Sequence, residues 1–318
     1  MQPTRQADEN DILYAYRLLL GREPDAAGLA HHRSVISHER ISAEELARTF
    51  IASREFAERN QDAPVEVVVG EFAVFVRPED QDVGRAIRTN GQYEPHVTAA
   101  IREILKARGT FVDVGANIGF FTQLAASIVG REGHVFAIEP MDKNVQLIYR
   151  SLVRNGFDHV EVHACAASDR VGLVSIATGP RTSNAQIVDA SRAQGASLLT
   201  QAKRLDDLTS HLTRVDLVKF DIEGYELLAW RGFRAGLAKH RPIVLTEFHP
   251  YCMRTYVGVD PQEYLDELFA YAGSLHVLAF SGDRIECRTP EEVMLQWEAA
   301  DKAARADGTC HLDLLIRP

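Results

Sequence analysis

The sequence predicts an α/β protein: a mainly parallel, seven-stranded sheet with helices on both faces, preceded by a small all-α module. Three observations carry that expectation. From residue 110 onward, short apolar runs alternate with stretches of helical periodicity. Residues 110–139 lay out a strand, a glycine turn, a helix and a second strand ending in an acid, the plan of half a nucleotide-binding unit. Residues 9–60, by contrast, carry only helical patterns.

In the first part, Ile12, Leu13, Tyr16, Leu19 and Leu20 share one helix face, and Gly21-Arg22-Glu23-Pro24-Asp25 breaks that helix. Ser42-Ala-Glu-Glu45 has capping-box spacing and opens another, with Leu46, Phe50 and Phe56 on its buried side. About three helices are expected, and residues 1–62 are read as one module. The pattern then changes. Val65–Val76 is β-rich with Gly70-Glu71 at its centre, which suggests a hairpin. A helix is expected around 95–107. Sheet strands are expected at 110–114, 134–139, 159–163, 216–221, 242–248, 275–280 and 310–316. Helices are expected at 118–129, 142–155, 224–239 and 261–272. Residues 178–200 are rich in small and polar residues and weakly periodic, so they read as a long loop of the kind that covers a site. Residues 63–318 form the second domain on this reading.

Composition bounds the function. The 318 residues are 46% hydrophobic and 25% charged, ordinary values for a globular protein large enough to hold its own core. The formal net charge of -10 argues against nucleic-acid binding through bulk charge. Cys165, Cys252, Cys287 and Cys310 have no C-x-x-C spacing and read as reduced thiols. The polar stretch Met1–Asn10 lacks an apolar signal core, and no run approaches the roughly 20 apolar residues of a membrane span. A cytoplasmic location is expected.

The turn at Asp113-Val-Gly115-Ala-Asn-Ile-Gly119 narrows the ligand. It lacks the middle glycine of G-x-G-x-x-G that lets backbone approach a pyrophosphate, so a nicotinamide dehydrogenase is disfavoured. No G-x-x-x-x-G-K-[S/T] segment is present either. Asp113 at the strand end would repel phosphate and attract an ammonium group. A nucleoside with an amino-acid tail and no phosphate meets these demands, and S-adenosylmethionine is such a molecule. On this reading Asp113 sits near the amino group, Gly115 and Gly119 let the backbone pass close, and Glu139, 26 residues after Asp113, accepts from the ribose hydroxyls.

Five separated motifs share a family resemblance. Tyr93-Glu-Pro95, Val112-Asp-Val-Gly-Ala-Asn-Ile-Gly119, Val135-Phe-Ala-Ile-Glu-Pro140, Leu205-Asp-Asp-Leu208 and Val218-Lys-Phe-Asp-Ile-Glu-Gly-Tyr-Glu226 resemble the FkbM family of methyltransferases, in the family's order, over roughly residues 68–250. The resemblance implies a class I (Rossmann-like) methyltransferase fold and O-methylation of a sugar or polyketide hydroxyl. It implies cofactor contacts at Glu94, Asn117 and Asp221. It also points to Asp169, in Ala166-Ala-Ser-Asp169, near the adenine, although Asp169 equally reads as a turn residue. Glu94 equally reads as a helix-opening residue before Pro95. Residues 9–58, with Leu18-Leu-Leu-Gly-Arg-Glu-Pro-Asp-Ala-Ala-Gly-Leu29 and Phe50-Ile-Ala-Ser-Arg-Glu-Phe56, resemble the DUF4214 module, which implies a packing or association role with a protein partner or a second copy.

Acidic strand ends supply the catalytic candidates. Asp221 and Glu223 close one strand, and Glu247 and His249 close its neighbour, where open α/β sheets bind their ligands. Methyl transfer to a hydroxyl needs in-line positioning and loss of the hydroxyl proton. His249 is one candidate base, Glu223 or Glu247 another, and positioning without a base is a third. Asp221, Glu223, Glu247 and His249 together would also suit Mg²⁺ or Mn²⁺, but carboxylates beside a sulfonium have an electrostatic role without metal, and no metal is expected. The expected function is S-adenosylmethionine-dependent O-methylation of a sugar or glycan hydroxyl, or of a nucleotide- or lipid-linked precursor. The alternative is an inactive methyltransferase-fold scaffold that recruits a glycan-assembly partner.

Overall fold

The computed structural model describes residues 6–20, 22–59, 63–179, 182–188 and 198–318. Two compact units divide the chain, Met1–Ala63 and Pro64–Pro318. In the first, the helices Glu9–Leu19, Ala26–Glu39, Ala43–Ile51 and Arg54–Arg59 follow one another. Asp8 and Ser42 each close a capping box, so backbone N–H groups at two helix starts are satisfied by side chains. Ile12, Tyr16, Leu20, Leu46 and Phe50 form the buried core of this unit, with Phe56 packed against it. Three helices were expected; the short fourth, Arg54–Arg59, adds to them. Gly21, part of the expected break, lies outside the described residues.

The second unit holds fourteen strands among the described residues: β1 (Val65–Val69), β2 (Phe72–Val76), β3 (Thr110–Val114), β4 (His134–Ile138), β5 (Val160–His163), β6 (Ala166–Ala167), β7 (Gly172–Thr178), β8 (Ala185–Val188), β9 (Leu198–Lys203), β10 (Leu217–Phe220), β11 (Ile243–Phe248), β12 (Ser274–Leu278), β13 (Arg284–Cys287) and β14 (Leu312–Arg317). The main sheet runs β13-β12-β14-β11-β10-β3-β4-β5. Strands β11, β10, β3, β4 and β5 are parallel, and β14 inserts antiparallel between β11 and β12. All seven expected strands lie in this sheet. The eighth, β13, pairs antiparallel with β12 at the edge and escaped the pattern because Arg284-Ile-Glu-Cys287 contains no apolar run.

Two further expectations need correction. Part of 178–200 is not a loop. Strands β7, β8 and β9 join β6 in a second sheet of order β6-β9-β7-β8. Leu173, Leu198 and Leu199 are exposed, and Val174, Ile176 and Ile187 are buried among small and polar residues, so the alternation is weak. The rest of that stretch, 180–181 and 189–197, lies outside the described residues. The helix expected over 224–239 is two helices, Glu226–Arg231 and Arg234–His240. Asp206, from the Leu205-Asp-Asp-Leu208 motif, starts the second by accepting from the N–H groups of Ala235 (3.1 Å) and Gly236 (2.8 Å).

Alternation along the parallel strands sorts their side chains onto two faces. Val112, Val114, Phe136, Val218 and Phe220 pack on one side with Trp230, Phe233 and Tyr264. Phe111, Leu217, Leu245 and Leu315 pack on the other, against the β1–β2 hairpin and the helices Pro95–Ile104 and Phe120–Val129. The same alternation sends Asp113, Lys219, Glu247 and Asp313 to that second face. In register, Asp113 faces Lys219 and Glu247 faces Asp313. A row of buried charged groups therefore crosses an otherwise apolar layer, next to the ligand-binding end of the sheet.

Candidate active site

Beyond the carboxyl ends of β3, β4, β10 and β11 lies a cavity of about 290 Å³. Its size is at the lower end for small-molecule sites. Glu94, Gly115, Asn117, Glu139, Asp221, Glu223, Glu247 and His249 all line it. Asp113, Gly119 and Asp169 do not.

The turn after β3 is shaped by close packing. Gly115 has φ +85°, and a Cβ there would meet the Asp221 carbonyl oxygen at 1.9 Å. That carbonyl belongs to the residue following β10, so the glycine lets two strand ends converge at the cavity. Gly115→Ala is expected to cost roughly 2–5 kcal/mol, the sum of a left-handed backbone and an immovable clash. Chemical denaturation measures it, and an unchanged midpoint would refute this packing role. Gly119 (φ +87°) packs instead against Ile148, which a Cβ would meet at 2.9 Å. Gly119 does not line the cavity.

Three residues other than glycine hold the left-handed region on the cavity wall: Glu94 (φ 38°), Asn117 (φ 51°) and Glu223 (φ 55°). Such conformations carry a backbone cost and cluster at functional sites. Local bonds maintain them. Asn117 Oδ1 accepts from the Ile118 N–H (2.8 Å), and the Asn117 N–H donates to Glu139 Oε2 (2.8 Å). Glu226 Oε1 accepts from the N–H groups of Ile222 (2.9 Å) and Gly224 (3.2 Å), bracketing Glu223. Glu94 precedes Pro95 but caps nothing with its side chain. Glu94 opens the helix at its N-cap and also stands on the cavity wall.

Glu139 is firmly oriented. Besides Asn117, it accepts from the Met141 N–H (2.9 Å) and Asn144 Nδ2 (3.2 Å). Burial nonetheless pushes its carboxyl up to about 7, against the pull of these bonds. Asp113 is fully buried outside the cavity, where Thr122 Oγ1 donates to its Oδ2 at 2.6 Å. Direct contact with a ligand in the cavity is therefore not its position. It stands beside Lys219, which the sequence motif contained but whose role was not foreseen. Lys219 lines the cavity, with Nζ 2.5 Å from Asp221 Oδ2 and 4.7 Å above the Phe121 ring. Burial works against its charge, but Asp221, Glu94 and Asp113 outweigh it and hold the ammonium above its ordinary range. Asp169 accepts from Ser168 Oγ at 3.2 Å, as a turn residue would.

One lysine does not balance the acids. Burial, with neighbouring acids adding to it, raises Glu94 and Glu247 well above the carboxylate range, Glu223 to about 7 and Glu226 to about 8. Glu94 Oε2, Glu247 Oε2 and Asp113 Oδ1 are buried without a hydrogen-bond partner. His249 is held the other way: burial and then His311 lower it to about 4, so its ring is neutral. Its Nδ1 is buried without a partner. Among the described residues, Glu223, His249 and Cys252 bring one ligand atom each within 4.8 Å of one another. Asp221 and Glu247, which the sequence grouped with Glu223 and His249 as a possible oxygen-rich metal set, are not in that group.

No curated protein matches the chain. Among solved structures, methyltransferase FkbM from Methylobacillus flagellatus KT aligns at 15% identity and TM-score 0.42, with 95% of this chain covered. The chain spans 58% of that protein's length. A Pyrococcus abyssi tRNA (uracil-54, C5)-methyltransferase, solved with S-adenosyl-L-homocysteine, aligns at 11% identity and TM-score 0.38, over 80% of this chain and 44% of that one. The DUF4214 model, a domain of unknown function, matches residues 4–60. The model of the methyltransferase FkbM domain matches residues 113–272, just over half of the chain, and the chain belongs to that methyltransferase family.

Proposed function

We propose that the second unit is an S-adenosylmethionine-dependent O-methyltransferase whose donor lies in the acid-lined cavity. The observation that carries this reading is the surplus of buried, partly unpartnered carboxyls around a single lysine. A site that keeps so many acids together, at the cost of raising them, is built for a positive ligand. S-adenosylmethionine bound there supplies an electrophilic methyl group on a sulfonium centre. Glu94 and Asp221 face the charged amino-acid end, and Glu139, oriented by three donors, faces the ribose diol. Asp113 acts at one remove, by fixing Lys219.

His249 is the proposed general base. It is neutral at physiological pH, it lines the cavity, and its Nδ1 has no hydrogen-bond partner in the protein. Glu247 is a weaker candidate because burial keeps its proton on, and Glu223, raised to about 7, is the alternative base. When nearby acids ionise they raise His249 again, as Asp221 already does in part. The acceptor is proposed to be a hydroxyl of a sugar or glycan, or of a nucleotide- or lipid-linked precursor. Tyr251, its ring 6.4 Å from that of His249 and 40% exposed, offers an aromatic face for a sugar ring. No helix among the described residues is long and apolar enough to cross a membrane, and the four cysteines are free thiols, which fits action in the cytoplasm. The DUF4214 unit is proposed as an association module.

Calorimetry tests the donor assignment. Micromolar S-adenosylmethionine binding is expected, weakened about tenfold or more, or 1.4 kcal/mol, in Glu139→Ala. Absence of binding by the wild type would overturn the reading.

A further inference from the structure

On the opposite face of the main sheet, at its outer edge, three ligand-type side chains converge away from the cavity. His134 opens β4, Glu161 lies on β5, and His211 comes from the segment between β9 and β10. Glu161 is the register partner of Phe136, so alternation puts His134, Phe136, Glu161 and His163 on one face. Leu205, Leu212 and Val215 pack on that same face, which brings His211 over it.

The distances describe a gap rather than a set of hydrogen bonds. Glu161 Oε2 lies 3.7 Å from His134 Nε2 and 3.6 Å from His211 Nε2. Both separations exceed the usual hydrogen-bond range. The three atoms lie within 4.8 Å of one another. His134 Nε2 is itself buried without a partner. The other carboxylate oxygen, Glu161 Oε1, is held by His163 Nε2 at 2.8 Å, and the His163 ring stacks on Phe136 with centroids 4.4 Å apart. One oxygen of Glu161 is thus oriented by a supported histidine, and the other is left facing two imidazole nitrogens. Zinc bonds of about 2.0–2.1 Å in tetrahedral geometry set ligand atoms roughly 3.3 Å apart, close to the spacing seen. The side chains of Glu161 and His211 are about half exposed, so an ion and a fourth water ligand can enter.

We propose that His134, Glu161 and His211 form a zinc site, with His163 as the positioning residue for the carboxylate. Two imidazoles and a carboxylate are a donor set zinc accepts. The ion would fasten the 205–215 segment to the sheet edge. That segment continues from β9, whose sheet supplies Ala166, Ala185 and Ile187 to the cavity wall. Zinc would therefore stiffen one wall of the site without touching the reacting groups.

The test uses the full chain stripped with chelator and titrated with Zn²⁺ alone. One equivalent is expected to bind and to raise the melting temperature. His211→Ala, at a half-exposed position, should weaken binding about 10–100-fold, while Cys252→Ser leaves it unchanged. Substitution with Co²⁺ should give a tetrahedral nitrogen–oxygen spectrum without a thiolate charge-transfer band. Failure of the wild type to bind Zn²⁺ would overturn the proposal. So would binding that survives His211→Ala but is lost in Cys252→Ser, since the ion would then sit in the cavity with Glu223 and His249.

Discussion

Lys219→Met is expected to destabilise the protein by about 3–5 kcal/mol, the usual cost of removing one partner from a buried charge pair. Lys219 is 3% exposed and is the ammonium that Asp221, Glu94 and Asp113 share. Methionine fills much of the same volume, so the loss reflects charge rather than a cavity. The loss should shrink as pH falls, because the stranded acids can then take up protons. Pairing Lys219→Met with Asp221→Asn should recover part of the stability, since the two side chains are coupled at 2.5 Å. Urea denaturation at pH 5.5 and pH 8 measures both effects. A loss independent of pH, with no recovery in the double variant, would show that Lys219 does not balance this acid row.

His249→Ala is expected to lower kcat by about 10²–10⁴-fold, the typical contribution of a positioned general base, with donor affinity changed less than about threefold. Methyl transfer from labelled donor to a sugar hydroxyl reads the first quantity, and calorimetry the second. Glu247→Gln provides the contrast. Burial already keeps the Glu247 carboxyl protonated, so the amide should preserve most of the rate. If Glu247→Gln abolished turnover while His249→Ala did not, the base would be the carboxylate. The pH profile separates them as well. A base at His249, lowered to about 4, loses activity only well below neutrality, whereas dependence on Glu223 gives an acid limb near 7.

The main sheet was legible because its strands are buried on both faces and read as short apolar runs between helical patterns. Glu139, Asp221, Glu223 and Glu247 were legible because acids at the ends of such runs stand out. Lys219 had the same signal, a lysine inside a fully buried strand, but it was read only as part of a motif. The second sheet was illegible because several of its apolar residues, Leu173, Leu198 and Leu199, are exposed and the rest are interspersed with small and polar ones, so neither an apolar run nor a clean alternation marks it. Asp113 shows the limit of reading a motif by position. The residue lies at the expected strand end, yet its side chain is fully buried against Thr122, on the same face as Lys219, and does not line the cavity. The cluster at His134, Glu161 and His211 depends on β4, β5 and a distant loop meeting, and no spacing in the chain announces it.

The carboxyls that make the cavity suitable for a cation also make it sensitive to pH. Glu139 and Glu223 sit at about 7, against an ordinary 4.5, so the folded protein holds protons that the unfolded chain has released. Stability of the free protein should therefore fall as pH rises through that window. His249 works in the opposite sense between about 4 and 6.5, but it is one group against several. A positive ligand lowers the carboxyls, so binding must release protons, and affinity must rise as pH increases. The most direct measurement is calorimetric titration with S-adenosylmethionine at pH 6 and pH 8, in buffers of different ionisation enthalpy. The expected result is tighter binding at pH 8 and net proton release at pH 6. Binding of equal strength at both pH values with no proton release, or no binding at all, would contradict the assignment of this cavity to a cationic methyl donor.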